Sequence, residues 1–135
     1  MTLFKKIGLA LLIIGYLIAG ANHFVNPDVY IPIIPHYIPL PKLMNILSGG
    51  FEILFALMLL FPQTRRLAAW GIILMLAAFL PVHIQMILDA PFKLGHLTVK
   101  PIVAWVRIFL QPVLMLWAWW YTVTPGEQLR KLYKV

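Results

Sequence analysis

Four apolar runs separated by short polar breaks set the architecture of this chain. Residues 3–22, 43–61, 67–88 and 101–123 are nearly unbroken stretches of Leu, Ile, Val, Phe, Ala and Met. Each is close to the ~20 residues a helix needs to cross the hydrocarbon core of a bilayer. The pattern predicts an all-α chain over 1–135, a single transmembrane domain built as an integral membrane four-helix bundle. The breaks differ in character. Residues 62–66 (Pro-Gln-Thr-Arg-Arg) read as a tight helical hairpin, and 89–100 as an exposed polar connection with Pro91, Gly95 and His96. Residues 23–42 interleave Pro27, Pro32, Pro35, Pro39 and Pro41 with Ile31, Ile33, Ile34, Ile38 and Leu40. Proline at that density forbids a regular helix, and the isoleucines are too apolar for a solvated linker. An extended, stiff lid over one mouth of the bundle is expected. The last residues, 124–135, begin with a T-x-x-E capping box carrying Pro at the first helical position, which predicts a short amphipathic interfacial helix.

The polar positions inside the runs carry the functional signal. In the second run Asn45, Ser48, Gly49, Glu52 and Ala56 recur at helical spacing and share one face. A carboxylate inside an apolar helix is costly and turns inward to a partner. At ~1.5 Å per residue Glu52 lies roughly 13 Å below one membrane face, Arg107 roughly 9 Å and His83 roughly 8 Å. The first run ends at that same face with Asn22 and His23. All four spans thus contribute a polar group to one half of the bundle. Asn22, His23, Glu52, His83 and Arg107 are the candidate ligand-binding residues, with Glu52 and Arg107 expected as a structural ion pair. Asn45, Ser48 and Gln111 are supporting donors. Pro81 cannot donate to the carbonyl of Ala77, so the third span is expected to kink just below His83.

Composition narrows the reading. Charged residues make up 11% of the chain against 62% hydrophobic, where a soluble domain carries about 25% charged. The net charge of +7 is a membrane-topology signal here and no mark of nucleic acid. Lys5, Lys6, Arg65, Arg66, Arg130, Lys131 and Lys134 fall at one end, against Lys42, Lys93 and Lys100 at the other. The excess places both termini in the cytoplasm. Lys5 and Lys6 are expected to snorkel to the interface. Gly8, Gly15, Ala19 and Asn22 form a small-residue stripe that a cleaved leader would not need, so the first run is expected to stay as a span.

The chain has no cysteine, which excludes disulfide, thiolate-metal and C-x-x-C chemistry within it. It shows no Ser/His/Asp set, glycine-rich phosphate loop or H-x-x-x-H pattern. No metal site is expected. Haem ligation by His23 and His83 has no motif behind it.

Several motifs together resemble one family. They are Gly15…Ala19-Gly20-Ala21-Asn22-His23-Phe24-x-x-Pro27, Pro32…Pro35-x-x-x-Pro39, Ser48-Gly49-Gly50-Phe51-Glu52-Ile53, Pro62-Gln63-Thr64-Arg65-Arg66-Leu67-Ala68-Ala69-Trp70-Gly71 and Pro81-x-His83-Ile84, with Arg107 in a Trp-rich last span. In combination the chain resembles the DoxX family of small bacterial four-helix membrane proteins. The resemblance implies the bacterial cytoplasmic (inner) membrane, with both termini inside. It also implies an accessory or quinone-linked role beside a membrane redox system, or the role of assembly factor for other membrane proteins. Thiol chemistry known among relatives does not carry over without cysteines. The expected ligand is a quinone or another amphipathic lipid, with Arg107 anchoring an oxygen or anionic head and His83 donating a hydrogen bond. The expected partners are membrane lipids, with a membrane-protein partner or a homo-oligomer as further options. An enzyme acting on a lipid-like substrate through Glu52 and His83 is the catalytic alternative.

Overall fold

The computed structural model describes residues 1–123 together with Glu127, Arg130 and Tyr133. Five α-helices have both ends among the described residues: α1 (Leu3–Val25), α2 (Pro41–Leu60), α3 (Pro62–Ala78), α4 (Leu80–Asp89) and α5 (Pro101–Trp119). The starts follow local rules. The Thr2 hydroxyl accepts from Lys5 N–H at 3.3 Å and caps α1. Pro41, Pro62 and Pro101 open α2, α3 and α5, where the missing N–H costs nothing. The first three spans match the apolar runs with shifted ends. The third is divided at Phe79 into α3 and α4, two residues before Pro81 removes a helical donor. α1, α2, the α3–α4 pair and α5 are each long and apolar enough to cross a membrane.

The helices pack as an open series. α1 lies on α2, α2 on α3, and α3 and α4 on α5. The start of α1 and the end of α5 meet at the terminal end of the bundle, where the Tyr121 hydroxyl donates to the Lys5 carbonyl at 2.9 Å. Lys5 does not snorkel outward. It is buried, with its ammonium 5.8 Å from the Trp120 ring and 5.6 Å from that of Tyr121, and these aromatic faces attract the cation. An apolar core fills the terminal half, around Leu12, Ala56, Leu59, Ala68 and Ile72. A second cluster closes the opposite, loop end with Ile33, Met86, Leu94, Val99 and Ala104. The outward surface is apolar: Leu3, Phe4, Leu67, Leu74, Phe109 and Leu116 are all exposed.

Both longer connections differ from expectation. The Pro-rich segment is not extended. It coils into two 3-10 turns, Pro27–Val29 and Ile31–Ile33, with Ile33 and Pro35 buried beneath it. Proline blocks an α-helix, but its fixed φ suits the tighter turn. The second connection is largely exposed, as expected, but it forms a hairpin, β1 (Phe92–Leu94) and β2 (Leu97–Val99), with Leu94 facing Leu97 across the turn. Gly95 supplies the positive φ the turn needs, and Leu94 and Val99 are buried in the loop-end cluster. The predicted tail helix falls on residues that lie, except for Glu127, Arg130 and Tyr133, outside the described residues. Of these, Glu127 accepts from Arg66 at 2.8 Å.

The α1–α2 crossing is the tightest contact between helices. A Cβ on Gly49 would lie 2.7 Å from His23 Cβ and 2.9 Å from the Gly20 carbonyl, and one on Gly20 would lie 2.9 Å from the Gly49 carbonyl. Only glycine lets the two backbones approach so closely. Gly49→Val should therefore cost about 1–3 kcal/mol from overpacking, seen as a lower thermal midpoint of the purified protein in detergent. Gly50→Ala, facing open space, should leave the midpoint unchanged or raise it.

Candidate functional site

The close α1–α2 crossing brings a polar cluster together at the loop end. His23, in the last turn of α1, meets Asn45 and Glu52, two turns apart on one face of α2. All three are buried. Asn45 Nδ2 donates to the His23 carbonyl at 2.9 Å, so its Oδ1 faces the imidazole and takes the proton of His23 Nδ1 at 2.7 Å. The other ring nitrogen, Nε2, lies 3.2 Å from Glu52 Oε2. Two bare lone pairs would repel at that distance, so one proton stays between them. The pair is either imidazolium and carboxylate or neutral imidazole and carboxylic acid. Its net charge is zero in both forms. The contact is not aligned as a hydrogen bond, and Oε2 keeps unused bonding capacity. The Tyr30 ring stacks on His23 at 3.8 Å, and its hydroxyl is held by Asn22 Nδ2 at 2.7 Å.

This pairing corrects the expected ion pair. Glu52 takes His23 as its partner, and among the described residues no carboxylate lies within salt-bridge distance of Arg107. Depth along the helices had placed Arg107 and Glu52 at a similar level. Facing was decided by the crossing, which puts α1, not α5, directly over the Glu52 face. His23 now has both ring nitrogens engaged inside the protein, which removes it as a haem ligand.

Between this cluster and α5 lies a cavity of about 410 Å³, within the size range of small-molecule sites. His23, Glu52, His83 and Arg107 line it, together with Tyr16, Tyr30, Asn45, Ser48 and Gln111. Asn22 does not. It stands behind Tyr30 and fixes that ring. Three buried polar atoms in the lining lack a hydrogen-bond partner: Tyr16 Oη, Glu52 Oε2 and His83 Nδ1. Gln111 is spoken for, since its Nε2 donates to the Leu76 carbonyl at 3.1 Å, next to the helix break. The Leu76 carbonyl, one residue before the expected Ala77, also accepts from the Phe79 N–H at 3.2 Å, so Gln111 adds a second donor there. Apolar walls come from Leu12, Leu76, Phe79, Val82 and Leu114 and from Ile33 and Ile34 of the Pro-rich loop. That loop does cover the site, as coiled turns.

Tyr16 and Tyr30 belong to the site and were missed by the sequence reading. Tyr16 stands seven residues before His23, hence on the same helical face, and that spacing could have found it. Tyr30 sits in a loop, where no periodicity points to it.

The chain belongs to the family described as Domain of unknown function (DUF8561), which matches residues 12–122. No curated protein and no solved structure matches the chain.

Removing one partner of a buried charge pair strands the other. His23→Leu should lower stability by about 3–5 kcal/mol, read as a fall in thermal midpoint, while His23→Leu combined with Glu52→Leu should recover most of that loss. Additive effects of the two substitutions would show that the residues are not coupled.

Proposed function

We propose that this protein is a multi-pass membrane protein that binds an amphipathic small molecule in the cavity between α1 and α5, with an oxygen-bearing head at Arg107. One observation carries the reading. Arg107 lines a largely apolar cavity with no carboxylate partner among the described residues, because Glu52, the acid in that lining, is already neutralised by His23. A cation in such surroundings is costly unless paired, and a ligand oxygen would supply what the protein does not. Tyr16 Oη and His83 Nδ1 stand unpartnered in the same lining, available to the same head. The resemblance to the DoxX family supports placing the protein in a bacterial cytoplasmic membrane, as an accessory subunit beside a redox system. In that setting the head is a quinone carbonyl or the charged group of another lipid.

Native mass spectrometry of the protein released from nanodiscs should show a co-purifying amphiphile, and Arg107→Met should lose it while keeping the fold. Wild-type protein that carries no amphiphile and gains no thermal stability from added quinone or lipid would refute the reading. The cytoplasmic placement of both termini has its own check. The chain has no cysteine, so Thr2→Cys and Thr98→Cys report cleanly on sidedness. A membrane-impermeant maleimide applied to spheroplasts should label the second and not the first.

A further inference from the structure

The cavity is not sealed along its length. At the terminal end α1 and α5 touch, where a Cβ on Gly8 would lie 2.6 Å from the Tyr121 hydroxyl. Two turns further along α1, a Cβ on Gly15 would meet nothing within 4 Å. Leu11 and Gly15 of α1 and Leu110 of α5 line the cavity and are also exposed on the outer surface. The helices therefore diverge from the Gly8–Tyr121 contact. The gap between them runs from the polar cluster to the apolar exterior, with Trp117 at its narrow end.

We infer that this crevice takes, sideways from the bilayer, a single-chain amphiphile with a carboxylate head, the chain lying over Gly15 towards Trp117. The inference rests on the proposed function and narrows its ligand. Charge decides the head. The His23–Glu52 pair sums to zero, so the lining carries the single positive charge of Arg107. A neutral carbonyl or hydroxyl head leaves that charge uncompensated in a low-dielectric site. A carboxylate cancels it and offers about four acceptor positions, enough for Arg107, Tyr16 Oη and His83 Nδ1 together. Charge-assisted bonds of this kind are the strong ones. Gly15 decides the tail. It is a small position where the gap meets the surface on α1 with open space in front of it, so its missing side chain sets the room left for a chain.

The test uses the full chain in nanodiscs and reads binding by native mass spectrometry and thermal shift, with hexadecanoic acid, hexadecanol, ubiquinone and a two-chain phosphatidylglycerol as probes. Hexadecanoic acid should bind at least about tenfold more tightly than hexadecanol, the loss of one charge-assisted pair being worth that much or more, and more tightly than the two-chain lipid or the quinone. Arg107→Gln should abolish the preference for the acid over the alcohol. Gly15→Leu, whose Cβ has no atom within 4 Å, should keep the thermal midpoint of the empty protein and weaken hexadecanoic acid at least about tenfold through steric loss in the crevice. Equal binding of acid and alcohol, tighter binding of quinone or two-chain lipid, or unchanged binding in Gly15→Leu overturns the inference while the amphiphile-binding function stands. Binding of none of the four probes overturns both.

Discussion

The buried pair of His23 and Glu52 is the constraint that the rest of the site depends on. Neither charge could be held alone inside a bundle of this composition. Holding both requires the backbones of α1 and α2 to come within glycine distance, at Gly20 and Gly49. The same approach lets Asn45 reach the His23 carbonyl with one end of its amide and the imidazole with the other. That double contact fixes the ring, its proton on Nδ1 and its angle to Glu52. Tyr30 then stacks on the fixed ring, and Asn22 holds Tyr30. The Pro-rich loop is thereby tied to the end of α1 by polar contacts and to the loop-end cluster by Ile33.

Neutralising Glu52 within the α1–α2 unit has a consequence on the other side of the bundle. α5 brings Arg107 to the cavity with no acid left to answer it. The break between α3 and α4 is answered separately, by Gln111 on the Leu76 carbonyl, so it draws nothing from Arg107 or His83. The bundle satisfies its structural polar needs pairwise: His23 with Asn45 and Glu52, Gln111 with Leu76, Tyr121 with Lys5. Among the described residues, the buried groups left unpaired, Tyr16 Oη, His83 Nδ1 and spare capacity on Glu52, gather in one place with Arg107. Unsatisfied groups scattered through an interior would only destabilise it. Gathered around a cavity of ligand size, they have the chemistry of a binding site.

The open helix order gives that site its access. Because α1 packs on α2 and α5 on α3 and α4, the seam between α1 and α5 is closed at the terminal end, where Phe4, Lys5 and Gly8 meet Trp120 and Tyr121. The stripe of Gly8, Gly15, Ala19 and Asn22, which reads as a packing surface in the sequence, does several jobs in the structure. Gly8 is a contact, Gly15 and Ala19 border the cavity, and Asn22 positions the loop. The close-packing glycine of α1 is Gly20, outside that stripe.

The sequence by itself determined the number of helical spans and their approximate position along the chain, because length and hydropathy are local properties that need no partner. It also determined which face of α2 turns inward, since Asn45, Gly49, Glu52 and Ala56 repeat at the helical period. It showed that polar groups from all four spans collect in one half of the bundle, because depth is set by residue count along an axis. Tertiary structure alone decided who pairs with whom. Depth places Glu52 and Arg107 near one level and His23 closer to the membrane face, but rotation about each helix and the order of packing choose the pairs. Those depend on the Gly20–Gly49 approach between residues distant in sequence. The same holds for the coiled loop and the hairpin, whose Ile33, Leu94 and Val99 are buried against Met86 of α4 and Ala104 of α5.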